Sequence, residues 1–348
     1  KELVRRVHQA GLKVIIDFVP NHVARDYADF TAAHPAPTGM TSLGEQDDSS
    51  VHWKEENDFF YYPGKALRLP VENQTYVEIP AKASGNAYTA EPGVNDWYDT
   101  IKLNYCDTPS RTWSKMFDIV AFWASAGVDG FRCDMVELVP PEFFKWLISR
   151  VKKLYPHIIF VAEVYQKTLY AKYIREVGFD LLYDKSGMYD AVRAIVEKNV
   201  NDSGVPVEAW QSTKRITGNW QFLGDLQPYM LNFLENHDEQ RFASDFFGKD
   251  AKNSFAALYA SLLLNQAPFM LYAGEEVGEK GMDTEGFSGI DGRTTIFDWW
   301  APSSLTRLYR YIHGDSTALT ENETALLERY RKVMRFAAED KAKRGRCL

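Results

Sequence analysis

An arginine and an aspartate stand two residues apart at the end of one apolar segment. In Gly130-Phe131-Arg132-Cys133-Asp134, a strand would put Arg132 and Asp134 on one face, because side chains alternate along a strand. An arginine beside a carboxylate keeps that carboxylate ionised, as a nucleophile requires. The pair therefore has the chemistry of an activated nucleophile, and a simple buried ion pair is the alternative that the same residues allow.

Two further apolar segments end in polar side chains. Glu163 follows residues 158–162, which would hold its carboxyl group in low-dielectric surroundings suited to a general acid. Asn236, His237 and Asp238 follow another apolar segment and combine a third carboxylate with groups that can bind sugar hydroxyls. Two carboxylates in different environments are what retaining cleavage of a glycosidic bond needs, at a separation of about 5–5.5 Å.

The segments that carry these groups alternate between strand-like and helix-like patterns. Six short apolar runs predict strands, and each is followed by a loop and a segment with helical spacing. The runs are residues 12–19, 128–135, 158–162, 179–183, 229–234 and 269–273. This alternation predicts an α/β fold with a parallel sheet, and the polar strand ends favour a TIM (β/α)8 barrel. An open doubly wound sheet would need a glycine-rich loop after its first strand, and residues 17–21 contain no glycine.

Only six of the eight barrel strands are visible in this sequence. Residues 1–10 already have helical spacing, so we expect two strands, their helices and any signal peptide to lie upstream. Residues 1–22 are predicted to contribute the third strand and its preceding helix. Residues 23–106 are predicted to form an inserted domain with short strands of its own, since a structureless loop of this length is uncommon. Residues 107–348 would then supply the fourth to eighth strands.

The charge and composition exclude several classes of protein. The 348 residues include 40 Lys and Arg against 48 Asp and Glu, and this acidic balance argues against nucleic acid as a partner. No apolar run approaches the roughly 20 residues of a membrane-spanning helix. No motif for nucleotide or redox chemistry is present, so we expect no organic cofactor. The three cysteines are too few and scattered for a disulfide framework.

Four segments resemble, in the same order, the signature segments of the α-amylase family of glycoside hydrolases, glycoside hydrolase family 13. They are Asp17-Phe18-Val19-Pro20-Asn21-His22, Gly130-Phe131-Arg132-Cys133-Asp134, Glu163-Val164-Tyr165 and Phe233-Leu234-Glu235-Asn236-His237-Asp238. Residues 101–105 and 267–276 resemble two weaker segments of the same family. The resemblance covers nearly the whole chain. It implies the barrel fold, with domain B inserted after the third strand.

The resemblance also implies roles for the carboxylates. Asp134 would be the nucleophile, Glu163 the general acid/base, and Asp238 the group that stabilises the oxocarbenium-like transition state. Asp17 would orient this constellation, and a purely structural role for it stands on equal terms.

The sugar would be held by residues around these carboxylates. Arg132, His22 and His237 would bind it at the point of cleavage, with Asn236 as a further donor; a satisfied buried histidine is the alternative for His22. Many family members also bind Ca²⁺ through the asparagine at the position of Asn21, and hard oxygen ligands suit that ion.

One segment departs from the family pattern. After Asp134 the chain continues with Met135-Val136-Glu137-Leu138, where many starch-cleaving members have Lys-His in the last two places. Those two residues bind the sugar beyond the cleaved bond in such members. Glu137 and Leu138 cannot reproduce these contacts, so the specificity for the leaving group is open.

Aromatic side chains in polar stretches are candidates for stacking on sugar rings. Trp97 and Trp220 are the strongest, since each lies near a predicted strand-end loop. Packing within the protein is the alternative for both.

The function expected from these observations is retaining hydrolysis of α-1,4-glucosidic bonds in starch-like polymers or maltooligosaccharides. An α-glucan transglycosylase or α-glucosidase on the same scaffold is the first alternative, because fold does not decide among them. A noncatalytic carbohydrate-binding or transport-accessory protein would lack at least one of the three carboxylates. The expected partner is an α-glucan, and a polysaccharide substrate favours an extracellular or periplasmic location over a cytoplasmic one.

Overall fold

The computed structural model describes residues 1–27, 41–200, 213–281, 290–294 and 301–339. The chain divides into two compact units. The first contains Lys1–Val164 and Thr168–Leu182, and the second contains Tyr165–Lys167 and the described residues from Tyr183 onward. No helix in these ranges combines the length and the apolar character of a membrane span.

Helices and strands alternate along the described chain. The helices are α1 (Glu2–Gln9), α2 (Arg111–Ser125), α3 (Pro141–Leu154), α4 (Tyr170–Lys172), α5 (Asp190–Val200), α6 (Lys214–Leu223), α7 (Ser254–Leu263), α8 (Ser303–Ile312) and α9 (Glu321–Glu339). The strands are β1 (Ile15–Phe18), β2 (His22–Ala24), β3 (Tyr61–Tyr62), β4 (Ala81–Lys82), β5 (Thr100–Lys102), β6 (Gly130–Cys133), β7 (Ile159–Ala162), β8 (Leu181–Tyr183), β9 (Met230–Phe233) and β10 (Phe269–Met270). Strands β1 and β6 to β10 lie within the six predicted strand segments.

The first unit is built on parallel strands in the order β1, β6, β7, β8. The register places Asp17 opposite Arg132 and Cys133 opposite Ala162. Beyond the paired residues, the Asp134 amide donates to the Phe18 carbonyl at 2.9 Å. The strands therefore end side by side, and the polar residues that follow them meet at one edge.

Helices α2 and α3 cover this sheet with apolar faces that the sequence pattern predicts. Trp113, Met116 and Val120 of α2 are buried, and so are Phe143 and Leu147 of α3. Their spacing of three or four residues places them on one stripe of each helix. The rings of Trp113 and Phe143 meet edge to face with centroids 5.5 Å apart, so the two helices share one core.

The described part of the segment 23–106, which the sequence predicts to be an inserted domain, contains short strands. Strand β2 pairs antiparallel with β5, and β3 pairs with β4. A buried ion pair between Arg25 and Glu78, 2.8 Å apart, connects the end of β2 to the turn before β4. These contacts hold β2, which begins at His22, in register with Lys102.

In the second unit β9 and β10 are parallel neighbours. Strand β10 ends at Met270, earlier than the apolar run 269–273 predicts, because the Glu275 amide donates to the Tyr272 carbonyl and turns the chain. Helix α6 was not predicted; its segment is polar, and one buried position is occupied by Asn219. Asn219 donates to the buried Asp184 at 2.7 Å, so a polar contact replaces the apolar stripe by which a helix is recognised.

Two glycines test the backbone conformation that the structure assigns to them. Gly127 ends α2 with φ +99°, and an added Cβ would lie 3.3 Å from Val4, whereas a Cβ on Gly218 inside α6 would meet nothing within 4 Å. We expect Gly127→Ala to lower the free energy of unfolding by about 1–2 kcal/mol. The matched change Gly218→Ala should raise it by about 0.5–1 kcal/mol through helix propensity. Urea unfolding measures both free energies. If the two substitutions changed the free energy of unfolding in the same direction, the backbone conformations assigned to Gly127 and Gly218 would be contradicted.

Candidate active site

Three carboxylates surround the guanidinium of Arg132. Its Nη1 donates to Asp134 Oδ1 at 2.7 Å and to Asp17 Oδ1 at 3.1 Å, and its Nη2 lies 3.1 Å from Glu163 Oε2. The side chain of Glu163 is 2% exposed, that of Asp134 18% and that of Asp17 55%. One largely buried cation thus contacts two enclosed carboxylates and one that faces solvent.

The strand order explains why these groups meet. Asp17 and Arg132 are partners in the β1–β6 register, and Arg132 and Asp134 lie two apart along the chain, as the alternation of side chains requires. The Glu163 amide donates to the Cys133 carbonyl at 3.1 Å, which brings the end of β7 beside the end of β6. The structure therefore brings together Asp17, Arg132, Asp134 and Glu163, as the sequence predicts.

Burial dominates the electrostatics of Asp134. Desolvation raises the pKa of Asp134 to about 6; the charge of Arg132 lowers it, and those of Glu163 and Asp17 raise it further. The sequence predicted that Arg132 would keep this carboxylate ionised; Arg132 does lower the pKa of Asp134, although desolvation raises it by more. The ionised form still predominates at pH 7, since the pKa lies about one unit below that pH.

The chain turns sharply after Asp134. Met135 has a φ of +44°, uncommon for a residue with a side chain, and residues 136–138 form one 3₁₀ turn. This conformation points the Met135 amide at Glu163, whose Oε2 accepts its hydrogen bond at 2.9 Å. Glu163 is thus held between a backbone amide and a guanidinium.

His22 and Trp97 form a second cluster in the first unit. Their ring centroids are 5.2 Å apart at an angle of 49°, and both residues are partly exposed. Burial lowers the pKa of His22, and the charge of Lys102 lowers it further, so the imidazole is neutral at pH 7. A neutral imidazole beside an indole can combine one hydrogen bond to a sugar hydroxyl with an apolar surface.

Asn21 is fully buried, and both ends of its amide have protein partners. Its Nδ2 donates to the Gly85 carbonyl at 2.9 Å, and its Oδ1 accepts from Lys102 Nζ. Burial lowers the pKa of Lys102 to about 8, which leaves the ammonium mostly charged at pH 7. The Asn21 oxygen expected to bind Ca²⁺ therefore already faces a cation, and the residues present do not fit a calcium ion there. No cluster of three or more acidic, histidine or cysteine side chains in the described ranges is placed to bind a metal.

Asn236, His237 and Asp238 follow β9 in the second unit. The Asn236 side chain accepts hydrogen bonds from the amides of Asp238 and Glu239, each at 2.9 Å, and is 2% exposed. It shapes the turn, whereas the sequence had suggested a sugar contact. His237 Nε2 lies 3.3 Å from Asp238 Oδ2, and the Asp238 side chain is 51% exposed. The Asp238 carboxylate is therefore accessible to a ligand.

A buried ion pair lies beneath this turn. Arg241 Nη1 is 2.8 Å from Glu235 Oε1, and both side chains are 1% exposed. Arg241 also donates to the Ala273 carbonyl at 2.9 Å, and Glu235 accepts from the Phe242 amide. Sequence reasoning missed this pair, although a glutamate directly before Asn236 in an apolar run was a signal that could have identified it.

Trp220 lies in α6 of the second unit, in the segment before β9. It is partly buried, and its carbonyl accepts from Gln227 Nε2 at 3.2 Å. Trp97, by contrast, lies in a loop three residues before β5, as expected.

The family model described as the catalytic domain of alpha amylase matches residues 1–346. An α-amylase, MalA, from Haloarcula japonica is 27% identical over 81% of this chain and 34% of its own length. Neopullulanase 2 from Thermoactinomyces vulgaris is 21% identical over 81% of this chain and 41% of its own length. A maltosyltransferase from Corynebacterium pseudotuberculosis, which uses α-1,4-glucan and maltose 1-phosphate, is 32% identical over 29% of this chain and 15% of its own length. The chain thus spans less than half the length of these curated relatives.

Solved structures of related sequence share the fold. The cyclic α-maltosyl-(1→6)-maltose hydrolase from Arthrobacter globiformis, solved with maltose, has a TM-score of 0.60 at 19% identity. The alignment covers 99% of this chain and 64% of that one. An α-amylase from H. orenii gives a TM-score of 0.63 at 21% identity, over 98% of this chain and 66% of that one. The α/β architecture of this chain is therefore that of the TIM barrel of these enzymes.

The buried pair beneath the Asn236 turn leads to a stability prediction. Arg241→Met should lower the free energy of unfolding by about 3–5 kcal/mol, because it leaves the Glu235 charge buried without its partner. The control is Arg331→Met, which breaks a surface pair with Glu328 and should change stability by less than about 0.5 kcal/mol. Denaturant midpoints report both, and similar losses in the two variants would refute the structural role of Arg241.

Proposed function

Because the chain belongs to the α-amylase family of glycoside hydrolases, we propose that it cleaves α-1,4-glucosidic bonds in starch-like or maltooligosaccharide substrates with retention of configuration. The observation that carries this proposal is the contact of one guanidinium, Arg132, with two enclosed carboxylates, Asp134 and Glu163. Two carboxylates bound to one small cation are close together. Nucleophile and acid must act on the same glycosidic bond, so this shared contact supports a double displacement, and retention of configuration is proposed from the resemblance to the family.

The proposed reaction has two displacements. Glu163 donates a proton to the glycosidic oxygen as the Asp134 carboxylate attacks the anomeric carbon, so the old C–O bond breaks and a glycosyl-enzyme ester forms. Glu163, now ionised, takes a proton from water, which attacks the same carbon and releases Asp134. Inversion at each step leaves the product in the original α configuration.

Arg132 serves this mechanism through charge and position. It offsets part of the desolvation of Asp134, and without it the pKa of that carboxyl would lie above about 6. It also fixes the side chains of Asp134 and Glu163 relative to each other, which is the orientation that catalysis requires. Asp17, on the same Nη1, restricts the guanidinium from the solvent side.

The remaining residues are assigned by the family resemblance together with their local structure. Asp238 has an accessible carboxylate, and we assign it the role of stabilising the oxocarbenium-like transition state. His237, beside it, and the neutral His22 would bind sugar hydroxyls. Trp97, packed near the His22 ring, is the better candidate for stacking on a sugar, and Trp220 in α6 is kept as a second candidate.

Transfer of the glycosyl unit to another sugar is the second candidate. The segment after the nucleophile carries Glu137 and Leu138 in place of the Lys-His of many starch-cleaving members. An altered leaving-group region changes which acceptor competes with water, so a transglycosylase or α-glucosidase would use the same two displacements. A polysaccharide substrate for either activity supports an extracellular or periplasmic location.

Incubation with maltoheptaose, followed by proton NMR, tests the proposed activity. We expect new reducing ends that appear first as the α anomer; redistributed chain lengths without new ends would favour transfer instead.

Asp134→Asn and Glu163→Gln should each lower turnover by at least about 10³-fold with unchanged circular dichroism. Glu176→Gln, an exposed carboxylate in the same unit, is the control. Near-normal activity in either catalytic variant would overturn the assignment.

The raised pKa of Asp134 predicts the acid side of the pH profile. Protonated Asp134 cannot attack, so kcat/KM should fall about tenfold per pH unit below about pH 6. An aspartate with an ordinary pKa would lose activity only near pH 4. Initial rates at low substrate concentration between pH 4 and 8 measure this limb. A profile that stays flat down to pH 4.5 would contradict the desolvation of Asp134.

A further inference from the structure

The Lys102 ammonium binds two oxygens from separate segments of the first unit. It donates to Asn21 Oδ1 and to the Leu138 carbonyl, the latter at 3.1 Å. Asn21 follows β1, Leu138 ends the 3₁₀ turn after β6, and Lys102 is the last residue of β5. One side chain therefore connects three segments that are far apart in the sequence.

The surroundings of this ammonium resemble those of a bound metal cation. Lys102 is 7% exposed and Asn21 is fully buried, so little water can replace the oxygens as partners. Removing a charge from water is costly, and the charge persists in such a place only if polar groups surround it. An amide oxygen and a backbone carbonyl are also the kind of neutral ligand that hard metal cations accept.

The backbone fixes the lysine at this place. Residues 22–24 pair antiparallel with residues 100–102, so His22 lies opposite Lys102 and Asn21 directly precedes that pair. The Leu103 amide donates to the Asn21 carbonyl at 3.0 Å and continues the ladder by one bond. The register of β2 and β5 thus positions the Lys102 ammonium, and both the main chain and the side chain of Asn21 hold that residue beside it.

We propose that the Lys102 ammonium takes the structural place of a divalent cation, so that the Asn21 region needs no calcium. The positive charge and the connection between the segments are supplied by the chain itself. A metal ion cannot share Asn21 Oδ1 with the ammonium, because two cations at contact distance repel each other strongly in a buried site. The proposed role of Lys102 does not depend on the proposed hydrolysis, because it is tested by calcium binding and by the thermal stability of the protein.

The first test compares calcium responses. Calcium is titrated calorimetrically into EDTA-treated protein, and thermal unfolding is recorded with 1 mM EDTA and about 1 mM Ca²⁺, for the unaltered protein and for Asn21→Ala. We expect calcium to act equally on both, which places any calcium effect away from Asn21. Calcium binding or a rise in Tm that Asn21→Ala abolishes would overturn the proposal. This comparison does not require a lysine variant that folds.

The second test measures the coupling between the two side chains. Lys102→Met keeps the apolar stem and removes the charge, and we expect it and Asn21→Ala each to lower Tm by about 5 °C or more. Because each change removes the same hydrogen bond, the double variant should melt within about 2 °C of the less stable single variant. Losses that simply add would overturn the proposed connection.

A matched control uses another buried lysine of the same unit. Lys115 donates to Asp58 and to the Ser42 carbonyl, each at 2.6 Å, and touches neither Asn21 nor Leu138 in these bonds. We expect Lys115→Met and Asn21→Ala to have additive effects on Tm. Coupling of the Lys115 change with Asn21 as strong as that of Lys102 would overturn the assignment to one ammonium.

Discussion

The arrangement of Asp17, Asp134 and Glu163 depends on one largely buried guanidinium, that of Arg132. Burial of Asp134 and Glu163 would be unfavourable without a nearby positive charge, and Arg132 contacts both and Asp17 as well. Its position follows from the parallel pairing of β1, β6 and β7, which places three strand ends side by side. Desolvation still raises the pKa of Asp134 to about 6, so the cation limits the effect of burial without cancelling it.

A buried cationic side chain also holds two other loops in place. Lys102 connects the segments after β1 and β6 through neutral oxygens, and Arg241 anchors Glu235 beneath the turn that presents Asp238. In each case a buried cation fixes a loop that carries polar residues, and removing it would leave carbonyl or carboxylate oxygens without a partner. Loops held in this way can present exposed groups in a constant orientation, which a preorganised site requires.

Lys102 supplies a cation from the chain itself to the Asn21 region. The resemblance to the family suggests Asn21 as a calcium ligand, and its amide oxygen is the kind of hard ligand that calcium accepts. The structure provides a lysine from β5, 81 positions along the chain, as its partner. The family resemblance therefore suggested a cation beside Asn21, and strand pairing placed the ammonium of Lys102 there.

The sequence alone determined the six strand segments of β1 and β6 to β10, the strand-end positions of Asp134, Glu163 and Asp238, and the family, because these features are local in the chain. Alternating apolar patterns and short motifs also predicted α2 and α3 correctly. Helix α6, with Asn219 buried against Asp184, escaped that reasoning because its inward face is partly polar. The effect of burial on Asp134, the turn-forming role of Asn236 and the partner of Asn21 were decided by the tertiary structure. Each depends on desolvation or on hydrogen bonds to atoms that only folding brings near, and no local pattern records those distances.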